Sequence, residues 1–203
     1  MASVYQLKPA FQRLLRPAVG LLARIGVTAN AVTLAAAALS VAVGGCVAIW
    51  PRDAWPLLLL PAFLVLRMAL NAVDGMLARE HGQQSRLGAI LNELGDVVSD
   101  SALYLPLALV AAFDPTLVVL IVVLAVVSEM TGVLGPQVGA SRRYDGPMGK
   151  SDRALAFGAF GLWTGLGLPT GVWLRAALAL VALLLIVTVA NRAYRALREC
   201  EGR

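Results

Sequence analysis

The sequence predicts an all-α integral membrane protein. Six transmembrane helices should surround a polar pocket open to the cytoplasm, behind an N-terminal amphipathic interfacial helix. Three observations carry this expectation. Of the 203 residues, 59% are hydrophobic and only 14% charged, where a soluble domain carries about a quarter charged residues. Mean hydropathy is +0.78, and apolar runs of roughly the 20 residues that cross a bilayer recur along the chain. The basic residues gather on one side of those runs.

In chain order the spans are expected at 31–50, 55–79, 87–112, 116–136, 153–168 and 171–194. Connections rich in Pro, Gly and charge separate them, the longest being "VGASRRYDGPMGKSD" at 138–152. With the N-terminus inside, fourteen Lys and Arg lie on the cytoplasmic side against Arg52 and Arg175 on the other, with Arg67 within a span. The positive-inside rule then puts both termini in the cytoplasm. Residues 1–203 read as a single membrane domain, with 1–30 the interfacial helix and entry, 31–198 the bundle and 199–203 a tail. Within 7–26, Leu7, Phe11, Leu14, Leu15, Val19, Leu22 and Ile25 supply apolar area, while Lys8, Arg13, Arg16 and Arg24 can meet anionic headgroups of membrane lipids. No cleavable signal peptide is visible. That and the small size point to a multi-pass protein of a bacterial inner membrane.

Polarity intrudes in "NAVDGMLAREHGQQSRLGAILNELGD", residues 71–96. On a helix Asn71, Asp74, Gly75 and Ala78 share one face, and Gly88, Asn92, Asp96 and Asp100 form a second stripe at four-residue spacing. A short connection makes the two helices antiparallel neighbours, and Asn71 and Asp96 each sit roughly 12–15 Å inward of the flanking arginines, at 1.5 Å per residue. Carboxylates meeting in a low-dielectric site repel unless protonated or bridged by a cation. An all-oxygen set favours hard ions such as Mg²⁺, Mn²⁺ or Ca²⁺ over zinc. A polar network that only ties two helices together is the bland reading, and ionisable groups within a membrane more often serve function.

The stretch resembles the signature of the CDP-alcohol phosphatidyltransferase family, D-x2-D-G-x2-A-R-x8-G-x3-D-x3-D. Here it runs Asn71, Asp74-Gly75, Ala78-Arg79, then Gly88, Asn92 and Asp96, with every spacing kept. "GVTANAVT" at 26–33 is similar to the family's G-x-T-P-N-x-x-T entry into the first span, with Ala29 in place of Pro. The resemblance implies that Asn71, Asp74, Asn92 and Asp96 hold one or two divalent ions, Mg²⁺ or Mn²⁺, against the diphosphate of CDP-diacylglycerol. It implies that Asp96 is the catalytic base, and that Asn30, Thr33, Gly75, Arg79 and Ser85 line the cytidine-diphosphate pocket. It also implies a homodimer.

Asparagine at positions 71 and 92 is the departure from that signature. An amide oxygen can ligate but adds no charge, so the four-residue set falls from −4 to −2. Asp100, Glu93 and Glu129 are the acids placed to replace it, and Arg67 is expected to pair with one of them. Lys150 and Arg153, at the mouth of the fifth span, are auxiliary candidates for recognising an anion, either a phosphorylated acceptor or the CDP-lipid. Gly161-x3-Gly165 permits close helix packing, within or between protomers. The basic residues follow topology, which argues against nucleic acid as a partner.

The expected function is transfer of a phosphatidyl group from CDP-diacylglycerol to a small hydroxylated acceptor, releasing CMP, in phospholipid biosynthesis. Two rivals stand beside it: a non-catalytic CDP-lipid-binding protein, and a small-solute transporter. The latter should show internal repeats and broken helices, which the sequence lacks.

Overall fold

The computed structural model describes residues 8–202. Seven α-helices follow one another among them: α1 (Lys8–Arg24), α2 (Ala29–Ile49), α3 (Ala54–Glu80), α4 (Arg86–Tyr104), α5 (Pro115–Leu134), α6 (Lys150–Gly165) and α7 (Gly171–Glu201). Short polar side chains set several of the starts by accepting the free amides of a first turn. Thr28 Oγ1 accepts from the Ala31 amide at 3.2 Å, Ser85 Oγ from Gly88 at 2.9 Å, and Asp114 Oδ1 from Leu117 at 3.1 Å. Pro115 follows Asp114 at the first helical position, where its missing N–H removes nothing.

Two expected spans are interrupted near their ends. The third passes from α4 into a 3₁₀ turn over Leu105–Leu109 at Pro106, which cannot donate to the α-helical ladder. Another 3₁₀ turn, Gly135–Val138, follows α5 at Pro136 and leads to Gly139 in the left-handed region, φ +93°.

By length and composition, four helices can cross a membrane: α2, α3, α5 with its 3₁₀ extension, and α7. The other two expected spans, α4 and α6, do not reach that combination of length and apolarity, although Leu87, Ile90 and Leu94 of α4 and Leu155 of α6 are exposed. α2 packs along α3 and α4, α3 against α6, and α5 against α7. The outer faces are apolar and exposed at Leu34, Val65, Val123 and Leu183, the arrangement expected where lipid rather than water surrounds the protein.

Glycines allow two of these approaches. A Cβ on Gly44 would lie 1.8 Å from the Ala102 carbonyl oxygen, so no other residue lets α2 come this close to α4. On α6, Gly161 and Gly165 meet Leu57, Leu58 and Leu60 of α3. The small-residue stripe therefore serves packing within the chain.

One apolar core fills the bundle around Leu60, Leu103, Phe157 and Leu178, with Tyr104 stacked on Phe157 at 4.3 Å between ring centres. A smaller one joins α1, α2 and α3 through Val19, Val32, Met76 and Leu77. Helix α1 thus packs on its own bundle while Leu14, Leu21 and Ile25 stay exposed on its other side. Leu7, the side chain of Lys8 and Arg203 lie outside the described residues.

Candidate active site

A cleft of about 630 Å³ opens between the N-terminal end of α2, the last turns of α3 and the first turns of α4. Asn30, Thr33, Gly75, Arg79 and Ser85 all line it, together with Asp74, Gly88 and Asn92. The short connection, 81–85, was expected to make α3 and α4 packed neighbours; instead α2 packs along both and brings their polar stripes to one cleft, with little direct packing between α3 and α4. Gln83 in that connection accepts from the Ala29 amide at 2.6 Å and donates to the Val27 carbonyl at 3.4 Å, tying it to the start of α2. Sequence reasoning missed Gln83: adjacent amides in an eight-residue gap carry no signal of which one turns inward.

Gly75 works through its missing side chain. A Cβ there would meet Arg79 Nη2 at 2.9 Å, so the glycine lets the guanidinium fold back over α3. Arg79 and Arg86 both face the cleft, and neither forms an ion pair among the described residues.

Asp74 forms the floor and is 3% exposed. Its Oδ2 accepts from Thr33 Oγ1 at 2.8 Å, while Oδ1 is buried with no hydrogen-bond partner among the described residues. A buried carboxylate oxygen left unsatisfied is costly, and a bound cation would satisfy it. No group of three or more His, Cys, Asp and Glu is gathered for a metal among the described residues; with Asn at 71 and 92 the set is acid-poor. The chemistry of Asp74, two amides and Asp96 fits a hard cation held with little ligand charge.

Asp96 lies on α4 one turn beyond Asn92 and does not line the cleft. Lys150 Nζ from α6 contacts its Oδ1, and Arg67 approaches the same oxygen at 3.8 Å while donating to the Asp96 backbone carbonyl at 3.2 Å. Arg67 is thus paired with acids, as its sequence position suggested.

Beneath the cleft is a charged layer that sequence reasoning only partly foresaw. Arg67, Arg153 and Arg192 are buried to within 2% of complete. Asp100 Oδ1 meets Arg67 at 2.6 Å, and Asp100 Oδ2 receives Arg153 Nη2 at 2.7 Å and Nε at 3.0 Å. Glu129 lies 3.0 Å from Arg153, 3.5 Å from Arg192 and 3.7 Å from Arg142. Asp100 and Glu129 were expected to replace the charge missing at the two asparagines; instead they face these arginines and not the cleft. The reason is electrostatic: a guanidinium buried among helices requires a carboxylate beside it. Glu93, the third acid considered, contacts Arg142 of the loop between α5 and α6.

Fold and cleft define an integral membrane protein whose polar cleft brings two guanidiniums, several amide side chains and a buried carboxylate together. A sequence model of the CDP-alcohol phosphatidyltransferase family matches residues 26–194. The chain is 47% identical to the inner membrane protein YnbA of Escherichia coli K12 over 192 residues, 94% of each chain. It is 33% identical to the phosphatidylinositol phosphate synthase of Mycolicibacterium smegmatis over 146 residues, 70% of this chain and 64%, just under two thirds, of that protein. The crystal structure of the Mycobacterium tuberculosis phosphatidylinositol phosphate synthase PgsA1 with CDP-DAG bound has the same fold. Its TM-score is 0.76 at 22% identity, covering 91% of this chain and 94% of that one. The same enzyme in complex with manganese and citrate gives a TM-score of 0.74, over 89% and 87% of the two chains. The chain belongs to the CDP-alcohol phosphatidyltransferase family, enzymes that transfer a phosphatidyl group from CDP-diacylglycerol to an alcohol.

Proposed function

We propose that this protein transfers the phosphatidyl group of CDP-diacylglycerol to a small hydroxylated acceptor, releasing CMP, from a site open to the cytoplasm. The observation that carries this is the cleft itself: the five residues that the family resemblance assigns to the nucleotide share one cavity with the orphaned oxygen of Asp74. Arg79 and Arg86, free of carboxylates, receive the diphosphate. Asn30 and Ser85 supply hydrogen bonds at the cytidine end. The polar mouth lets the nucleotide enter while the diacylglycerol tails stay in the bilayer.

Asp74, Asn71, Asn92 and Asp96 would hold the divalent ion, Mg²⁺ or Mn²⁺. The chemistry it supplies when bound is neutralisation of charge on the diphosphate. Asp96 acts as general base: Lys150 and Arg67 hold Oδ1, and Oδ2 takes the proton of the acceptor hydroxyl. The acceptor oxygen forms its bond to the phosphorus nearest diacylglycerol as the bond from that phosphorus to the CMP oxygen breaks. Holding one oxygen fixes the orientation of the other, which is what proton transfer at hydrogen-bond reach needs.

The same reading places the protein in the inner membrane as a homodimer, with six spans (α2 to α7) and both termini cytoplasmic. Helix α1 lies in the interface, its exposed Leu14, Leu21 and Ile25 turned to lipid. Purified protein given CDP-diacylglycerol, Mg²⁺ or Mn²⁺ and a panel of alcohols should release CMP. Tight binding of the CDP-lipid without CMP release from any alcohol would favour a non-catalytic lipid-binding protein.

A further inference from the structure

Helices α3 and α4 carry the polar stripes but pack little on each other, so the shape of the cleft mouth rests on what holds their connection. One side chain there differs from its neighbours. Gln83 is half-buried, while His81, Gly82, Gln84 and Ser85 are exposed. Its backbone amide donates to the Ala78 carbonyl at 3.1 Å, with Gly82 before it in the left-handed region at φ +66°, which closes the end of α3. Its side chain closes the start of α2: Oε1 accepts from the Ala29 amide at 2.6 Å, and Nε2 donates to the Val27 carbonyl at 3.4 Å. Two residues on, Ser85 Oγ accepts from the Gly88 amide at the start of α4. One short segment, 83–85, thus secures three helix ends.

Ala29 is the first residue of α2 and is 6% exposed. Proline suits that position, because the N–H it lacks has no acceptor within the helix. Thr28 before it already has the extended backbone that a following proline requires, φ −92° and ψ 151°. Proline at 29 would start the helix equally well but offer nothing to the connection. Alanine keeps a buried N–H that needs an acceptor, and Gln83 is that acceptor. The same contact bears on the site. A Cβ on Gly88 would lie 2.7 Å from Asn30 Oδ1 and 3.0 Å from Ser85 Oγ. Asn30 of α2 and Ser85 of the connection therefore meet over the first turn of α4, and both line the cleft. We propose that Gln83 is a positioning residue of the cleft mouth. By accepting the Ala29 amide it ties the connection to α2 and holds Ser85 beside Asn30, the arrangement that, resting on the transferase reading, receives the cytidine diphosphate.

The test is a double-variant cycle on the full chain in detergent, read by calorimetric titration of CDP with Mn²⁺ present and by unfolding temperature. Gln83→Ala should raise the Kd for CDP about fivefold, the scale of one hydrogen bond to a buried amide. Ala29→Pro should do the same, because its ring carbon takes the place of the hydrogen that Oε1 approaches and expels Gln83. Both changes together should still cost about fivefold, since they break one contact. The unfolding temperature, lowered in Gln83→Ala by the orphaned Ala29 amide, should recover in the double variant. An unchanged Kd in folded Gln83→Ala overturns the proposal. So does a Kd that recovers with stability in the double variant, because Gln83 would then only satisfy an amide. Losses that multiply to about twenty-fivefold overturn it as well, since the two residues would act independently. If wild type binds no CDP, the transferase reading has failed, and amide hydrogen exchange across residues 81–88 decides the proposal. Exchange there should quicken about fivefold in all three variants; rates equal to wild type in Gln83→Ala overturn it.

Discussion

Asp100→Asn removes the negative charge that joins two buried guanidiniums, and its consequence can be worked from the contacts. Asp100 holds Arg67 at 2.6 Å and Arg153 at 2.7 Å, and the side chains of all three are at most 6% exposed. Breaking a buried pair by deleting one partner costs about 3–5 kcal/mol, because the remaining charge is uncompensated. Here the loss is shared. Arg153 keeps Glu129 at 3.0 Å, and Arg67 keeps the Asp96 carbonyl at 3.2 Å with its carboxylate at 3.8 Å. The lower end, about 3 kcal/mol, is therefore expected, roughly a hundredfold in the ratio of folded to unfolded protein. For a chain of this length that corresponds to a fall of about 6–12 °C in unfolding temperature. Tryptophan fluorescence of detergent-purified protein during heating reads it. The control is Glu80→Gln, which breaks the Arg16 pair at 3.0 Å whose side chains are 60% and 37% exposed; a surface pair contributes about 0–1 kcal/mol. Should Asp100→Asn prove no more harmful than Glu80→Gln, the buried arginines do not depend on their carboxylates and the charged layer has been misread.

Asp96→Asn should lower CMP release by about a hundredfold or more while CDP-diacylglycerol still binds, the scale of losing a general base; turnover near wild type would remove Asp96 from that role. Gly75→Leu should abolish CDP binding in a folded protein, since its side chain must expel the Arg79 guanidinium, 2.9 Å from where Cβ would lie. Unchanged affinity by calorimetry would show that the nucleotide lies elsewhere. Asn71→Asp combined with Asn92→Asp should lower the Mn²⁺ concentration needed for binding, measured by titration of the metal alone. Asp100 and Glu129 face arginines and so add no repulsion to the enlarged acidic set, and weaker Mn²⁺ binding in the double variant would contradict their placement.

The helices and the cleft were largely legible in sequence because both depend on local regularities. Span positions follow from apolar length, but the packed pairing of α3 with α4 expected from their five-residue connection does not form: α2 packs along both, and α3 lies against α6. Asn30 and Thr33, one helical turn apart at the start of α2, were named through the resemblance of "GVTANAVT" to the family's entry motif, and both line the cleft. The breaks at Pro106 and Pro136 were foreseeable from proline chemistry, yet apolar continuity on either side hid them.

What the sequence by itself determined is the class of protein, the helices and most of the polar residues that line the cleft. Hydrophobic length and helical periodicity act within one segment and need no knowledge of the others. The tertiary structure alone decided how the charges are matched. Asp100 sits one turn below Asp96 and carries the same charge, but α3 and α6 bring Arg67 and Arg153 against it, while Glu129 on α5 meets Arg153 and Arg192. These pairs join residues 24 to 63 positions apart in the chain. A carboxylate's partner depends on which helices pack side by side, and burial makes that choice energetically decisive: the same acid in water would be indifferent to it.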